Sequence, residues 1–276
     1  MFAMLSFASF LAVLVVAPIA LLILRTPLSG RKLLANWGVT DATEDDRALA
    51  HAYLKRRRLL ILTALAVTVA LFVATGSKVD GVGPYLLWVI LPASLALFAS
   101  ELVLVGRKPD GPTRRASLTP RSRRDYVPRW ANWTLLGYAV SSLPAIKFMS
   151  PFHESVELHL DFWIALGILL GLGAIAESTI RIAVARRPVV ESPADTAMRV
   201  RSARSMAGFQ IGITGFMFLI TWAGLGFAML FFGENPVIGW TLFSLGPIGF
   251  AGALTAWGLL ASPPRQARPA LTPEPT

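Results

Sequence analysis

The chain has 276 residues, 54% of them hydrophobic and only 15% charged, with no cysteine and a formal net charge of +10. Apolar residues gathered into long unbroken runs exclude an ordinary water-soluble domain, and the remaining connections are too short to hold a core of their own. The missing cysteine excludes disulfides and thiol chemistry.

A hydrocarbon core about 30 Å thick is crossed by about 20 apolar residues in a helix. Seven stretches meet that length: Phe2–Leu24, Leu59–Gly76, Tyr85–Val105, Trp130–Phe148, Phe162–Ala185, Phe209–Phe232 and Ile238–Leu260. The predicted fold class is therefore all-α, a polytopic helix bundle with seven spans. Residues 1–261 form one membrane domain, and the Pro-rich residues 262–276 form a disordered tail.

The first span has no charged side chain before Arg25. A cleaved signal peptide starts with basic residues and has an apolar run of only about 7–15 residues, so this span is expected to remain as an anchor. In the loop that follows, a helix is predicted with Asp41 as its cap and Glu44 three positions on. Ala48, Leu49, Ala52 and Tyr53 give it an apolar side at helical spacing. It is read as a surface helix on the cytoplasmic leaflet, or as one running through Arg58 into the second span. Glu101, close to the end of the third span, is expected to snorkel to the cytoplasmic interface.

The second loop reads Arg115-Ala116-Ser117-Leu118-Thr119-Pro120-Arg121, then Asp125-Tyr126-Val127-Pro128-Arg129-Trp130. Asp125 is expected to pair with a nearby Arg, and Pro128 with Trp130 to start the fourth span at the interface. The first loop reads Trp37-Gly38-Val39-Thr40 and, further on, Tyr53-Leu54-Lys55-Arg56-Arg57-Arg58. Together these segments resemble an uncharacterised family of actinobacterial multi-pass membrane proteins. The resemblance implies a bacterial plasma-membrane protein and brings no activity, cofactor or catalytic residue with it.

The turn after the fourth span holds His153, Glu154, Glu157, His159 and Asp161. As a strand, His153, Glu157 and His159 share a face; as a helix, His153, Glu157 and Asp161 do. Either arrangement offers imidazole and carboxylate to Zn²⁺, but the spacing matches no metal motif and HExxH is absent, so no metal and no cofactor is expected. Along the fifth span, Glu177 lies about 24 Å from Asp161 at about 1.5 Å per residue, near the far interface. Arg181 follows one turn later in the favourable i, i+4 order, so a structural ion pair is expected. Gly167 with Gly171, Gly224 with Ala228 and Gly252 with Ala256 mark faces where helix backbones approach. Pro92, Pro144 and Pro247 are predicted to kink their helices.

Lys and Arg alternate along the connections as eight, one, eight, one, six, none and two. Basic residues gather on the cytoplasmic side of a bilayer, which puts the N-terminus outside and the C-terminus inside. Tyr85, Trp88, Trp163 and Trp240 then mark the outer interface, and Tyr126, Trp130, Trp133 and Trp257 the inner one. The basic loops are expected to meet anionic lipid head groups rather than nucleic acid, because no stacking platform or nucleic-acid fold accompanies them. Arg outnumbers Lys 21 to 5, a usage typical of GC-rich bacterial coding. The expected function is an accessory or regulatory membrane component without catalytic chemistry, beside a possible membrane-protein partner. One alternative is a small-solute transporter using Asn132, Glu177, Thr214 and Thr221. Another is a metal-dependent enzyme with its site in the turn 150–161.

Overall fold

The computed structural model describes residue 25 and residues 29–39, 41–75, 91–92, 94–102, 122–153, 158–185, 193–233 and 235–263. Among the described residues every regular element is a helix. In chain order these are α1 (Gly30–Asn36), α2 (Glu44–Thr75), α3 (94–102), α4 (Arg123–Tyr126), α5 (Arg129–His153), α6 (Leu158–Ala185), α7 (Pro193–Phe232) and α8 (Pro236–Ala261). Three of them contain segments long and apolar enough to cross a membrane: Leu166–Ala185, Ala194–Phe231 and Pro236–Ala261. The expected spans at 59–76 and 130–148 lie on α2 and α5, helical as far as they are described. The first expected span, the outer part of the third and the tail from 264 lie outside the described residues.

The short α1 is closed at both ends by its sequence. Ser29 accepts the Lys32 amide at 3.2 Å. At the far end Gly38 has φ 84°, a left-handed conformation open to glycine at little cost. Val39 N then reaches Leu34 O and Gly38 N reaches Ala35 O, both at 3.0 Å, a Schellman closure with Val39 and Leu34 buried together.

The start of α2 corrects the expected cap. Thr43, not Asp41, closes it: the Asp46 amide donates to Thr43 Oγ1 and the Thr43 amide to Asp46 Oδ2, each at 3.2 Å. Thr-x-x-Asp satisfies two backbone donors at once, whereas Asp41 lies exposed outside the helix. From there α2 runs unbroken for 32 residues, about 48 Å, so it is one rod and not a separate surface helix. Its buried face holds Ala50 and Tyr53; Ala48 and Ala52, expected on the apolar side, are exposed.

The core is organised around α7, on which α5, α6 and α8 all pack. The α7–α8 pair is an antiparallel hairpin, capped by Asn235, which accepts the amides of Val237 and Ile238. Its helices touch through glycine: a Cβ on Gly226 would lie 2.2 Å from Phe243 N, and one on Gly208 2.4 Å from Trp257 Cδ1. Trp257 is thus a wedge between helices. Gly167 and Gly171, expected to mediate such contact, meet nothing within 4 Å among the described residues. Spacing of four puts small residues on one face but does not say which face meets a neighbour. Phe98, Phe209 and Trp257 run edge to face through the middle. Helix α5 continues through Pro144 and α8 through Pro247.

The exterior of this bundle is apolar. Trp133, Leu143 and Phe148 on α5 and Val237, Trp240, Ile248 and Leu259 on α8 are all strongly exposed. Such faces need a non-aqueous cover. A second, smaller cluster of Leu34, Val39, Ala50, Ala194 and Met198 joins α1, the start of α2 and the start of α7. The described parts of the first and third basic stretches of the sequence thus fold together as a cap on one end of the bundle.

Candidate functional site

Two carboxylates organise the polar interior, and each gathers residues distant in sequence. The first is Glu177 on α6. Its Oε1 accepts Arg181 Nε at 3.2 Å, the expected one-turn pair. Its Oε2 is bonded by Arg123 of α4 and accepts Gln210 Nε2 at 3.3 Å. Gln210 also donates to Gly173 O at 3.2 Å, and its Oε1 accepts Arg123 Nη2 at 3.4 Å. Glu177 is 24% exposed, Arg123 30% and Arg181 78%, so the cluster sits at the rim of the bundle. Helix α4 is placed there by its own cap, where the Ser122 amide donates to Asp125 Oδ2 at 2.7 Å. Asp125 therefore caps its helix, correcting the expected Asp125–Arg pair.

The polar groups proposed to accompany Glu177 do not join it. Asn132 is exposed on α5. Thr214 donates to Gln210 O at 2.6 Å and Thr221 to Met217 O at 2.9 Å, each within its own helix. The partner on α7 is Gln210 instead.

The second carboxylate is Glu101 on α3, which is 0% exposed and does not snorkel. Tyr53 Oη donates to Glu101 Oε1 at 2.9 Å. Arg57, 19% exposed, donates to Tyr53 Oη at 3.0 Å and lies 3.4 Å from Glu101 Oε1. The Arg201 guanidinium of α7 stacks over the Tyr53 ring at 5.1 Å. Burial, and then the negative charge of Glu101, push the Tyr53 phenol up to about 12. Glu101 Oε2 and Arg201 Nη1 are buried without a hydrogen-bond partner among the described residues.

Around this junction the extension of α7 grips the cap. Arg204 lies over the Trp37 ring at 5.9 Å and donates from Nε to Leu260 O at 3.2 Å, one of the last carbonyls of α8. Arg199 is buried and paired with Asp195 at 2.8 Å.

The remaining candidates cannot be joined into a centre. His153 ends α5 and His159 lies in the first turn of α6, but both imidazoles and all of Glu157 lie outside the described residues. Among the described residues no group of three His, Asp or Glu side chains converges as a metal site.

Sequence reasoning found the Glu177–Arg181 pair because helical spacing encodes it. It missed Arg123 and Gln210, which come from other helices, and it placed Glu101 in the wrong environment. A signal was present: Tyr53, Arg57 and Arg201 are polar groups bordering apolar spans, where burial requires a partner. Compared with family models, with curated proteins and with solved structures, the chain shows no match.

Proposed function

We propose that this chain is a seven-span protein of a bacterial plasma membrane, N-terminus outside and C-terminus inside, acting as a non-catalytic accessory or regulatory component beside a membrane partner. The observation that supports it is the closed state of the polar groups along the helices. Ser142, Thr179, Thr214 and Thr221 each turn onto a carbonyl of their own helix, and both Glu177 oxygens are taken by Arg123, Arg181 and Gln210. A carrier keeps ionisable groups available to its cargo. Here the charge is used to fasten α4, α6 and α7 together. The working surface is the basic cap built from α1 and the N-terminal parts of α2 and α7.

A second reading, a small-solute transporter, draws support from Glu101, a fully buried acid with one unpartnered oxygen. One experiment separates the two. Purified protein is reconstituted into vesicles holding a pH-sensitive dye, and a proton gradient is imposed. The accessory reading expects the leak of protein-free vesicles. A flux that Glu101→Gln or Glu177→Gln abolishes would establish the transporter instead.

A further inference from the structure

The Glu177 cluster has more donors than it needs. Each guanidinium carries five N–H groups in a planar fork, and the protein supplies the two Glu177 oxygens and Gln210 Oε1 as acceptors. Arg123 Nε is buried and has no partner among the described residues, so an outside anion would meet the terminal nitrogens of Arg123. Arg181 is 78% exposed and, among the described residues, bonds Glu177 through Nε, which leaves its terminal nitrogens available.

Charge points the same way. Arg123 and Arg181 against Glu177 leave one positive charge in excess. On α4 the neighbouring Arg124 and Asp125 cancel, so the surplus stands. The two guanidiniums are held in one bracket, because Glu177 takes Arg123 on one oxygen and Arg181 on the other. That pre-organisation lowers the ordering cost of a third, anionic partner. The exposed Trp130 and Trp133, two to three turns along the chain from Arg123, set the level of the membrane interface.

We propose that Arg123 and Arg181, bracketed by Glu177, form a binding site for the phosphate of an anionic phospholipid at the cytoplasmic rim of the bundle. The phosphodiester carries the single negative charge that the bracket lacks, and its two free oxygens accept from two guanidiniums. A zwitterionic choline headgroup would bring its cation against the same surplus charge, so phosphatidylglycerol is preferred over phosphatidylcholine. The inference rests on the membrane placement proposed above.

The test titrates detergent-solubilised full-length protein with short-chain phosphatidylglycerol, and separately with phosphatidylcholine, following the thermal unfolding midpoint. The expected result is tighter binding of phosphatidylglycerol, weakened about tenfold or more in Arg181→Gln, since hydrogen bonds to charged groups contribute on that scale. Arg181 is exposed, so this variant folds even where Arg123→Gln does not. Arg124→Gln, outside the bracket, should bind as the parent does. Equal binding of the two lipids, or binding untouched by Arg181→Gln, overturns the site. Competition by glycerol phosphate as strong as by the lipid overturns the lipid source and leaves a soluble phosphate ester. Failure of the membrane placement is read separately: such a protein would be released from membranes by alkaline carbonate whatever its lipid preference.

Discussion

Glu177 and Glu101 are both acids near the end of an apolar stretch, the first paired with two arginines and the second with one, yet they are solved differently. Glu177 sits at the rim, partly exposed, with both oxygens bonded. Glu101 sits at the junction of α2, α3 and α7 with no exposure, and one of its oxygens is unpartnered. A rim carboxylate can borrow solvent for whatever its neighbours leave unmet. A buried one cannot, so its few partners carry much more free energy. The difference teaches that depth, rather than the number of arginines, sets how much each pair matters.

The largest effect is therefore expected at Glu101. Glu101→Ala leaves the buried Tyr53 O–H without its acceptor and the Arg57 guanidinium without its counter-charge. Breaking a buried pair from one side costs about 3 kcal/mol. Glu101→Gln should cost less, because the amide oxygen still accepts from Tyr53. Chemical unfolding in detergent measures both. A loss below about 1 kcal/mol for Glu101→Ala would show that this junction is no more stabilising than the rim.

The next effect is a dependence of stability on alkaline pH at the buried junction. The Tyr53 phenol is held at about 12 against an ordinary value of 10.0. A raised phenol keeps its proton in the folded chain after the unfolded chain has lost it. Its stabilisation is therefore full below pH 10 and is lost as pH rises from about 10 to about 12. Two units at about 1.4 kcal/mol each bound the loss at roughly 3 kcal/mol. Tyrosinate absorbance during an alkaline titration should show a late-ionising component that is lost in Tyr53→Phe. If Tyr53→Phe loses stability with pH just as the parent does, the Tyr53 phenol is not the cause.

What was legible in the sequence follows the range of the interactions. The helices α2, α5, α6, α7 and α8 are read from apolar length, because a run of about 20 apolar residues has few other ways to satisfy its backbone. The one-turn pair Glu177–Arg181 is read from spacing, because both residues ride on one helix. Arg123 and Gln210 were not legible, since their approach to Glu177 depends on how α4 and α7 pack against α6. Tyr53 reads in the sequence as part of an apolar side, whereas in the fold its hydroxyl also bonds Glu101 and Arg57. The cap of α2 shifted from Asp41 to Thr43 because two capping frames overlap there, and only Thr43-x-x-Asp46 closes both bonds. The fold class was thus visible in local pattern, and the candidate sites only in part.

A moderate effect is expected at the rim when its shared acceptor is removed. Glu177→Gln loses the charge that fastens Arg123 of α4 and Arg181 of α6, and weakens the contact to Gln210 of α7. With solvent at hand the loss should be about 1–2 kcal/mol, below that of Glu101→Ala. Cooperative unfolding that keeps one transition but falls in midpoint would fit. A loss exceeding that of Glu101→Ala would reverse the ranking by depth.

The smallest effect sharpens the comparison within the rim itself. Arg181 and Arg123 share one carboxylate but differ in exposure, 78% against 30%. Arg181 pairs along its own helix, so its loss removes an exposed i, i+4 contact of about 0.3–0.5 kcal/mol in a lipid-free detergent. Arg123 pairs between elements and is partly desolvated, so its coupling to Glu177 should be larger. Double-mutant cycles with Glu177→Gln measure each coupling without the cost of the other contacts. If depth governs, the Glu177–Arg123 coupling exceeds the Glu177–Arg181 coupling by at least about twofold. Equal couplings would mean that Glu177 treats its two guanidiniums alike, and that solvent reaches Arg123 as freely as it reaches Arg181. The helix α4 would then be held at the rim by its apolar end, Tyr126 and Val127 in the core, rather than by the ion pair.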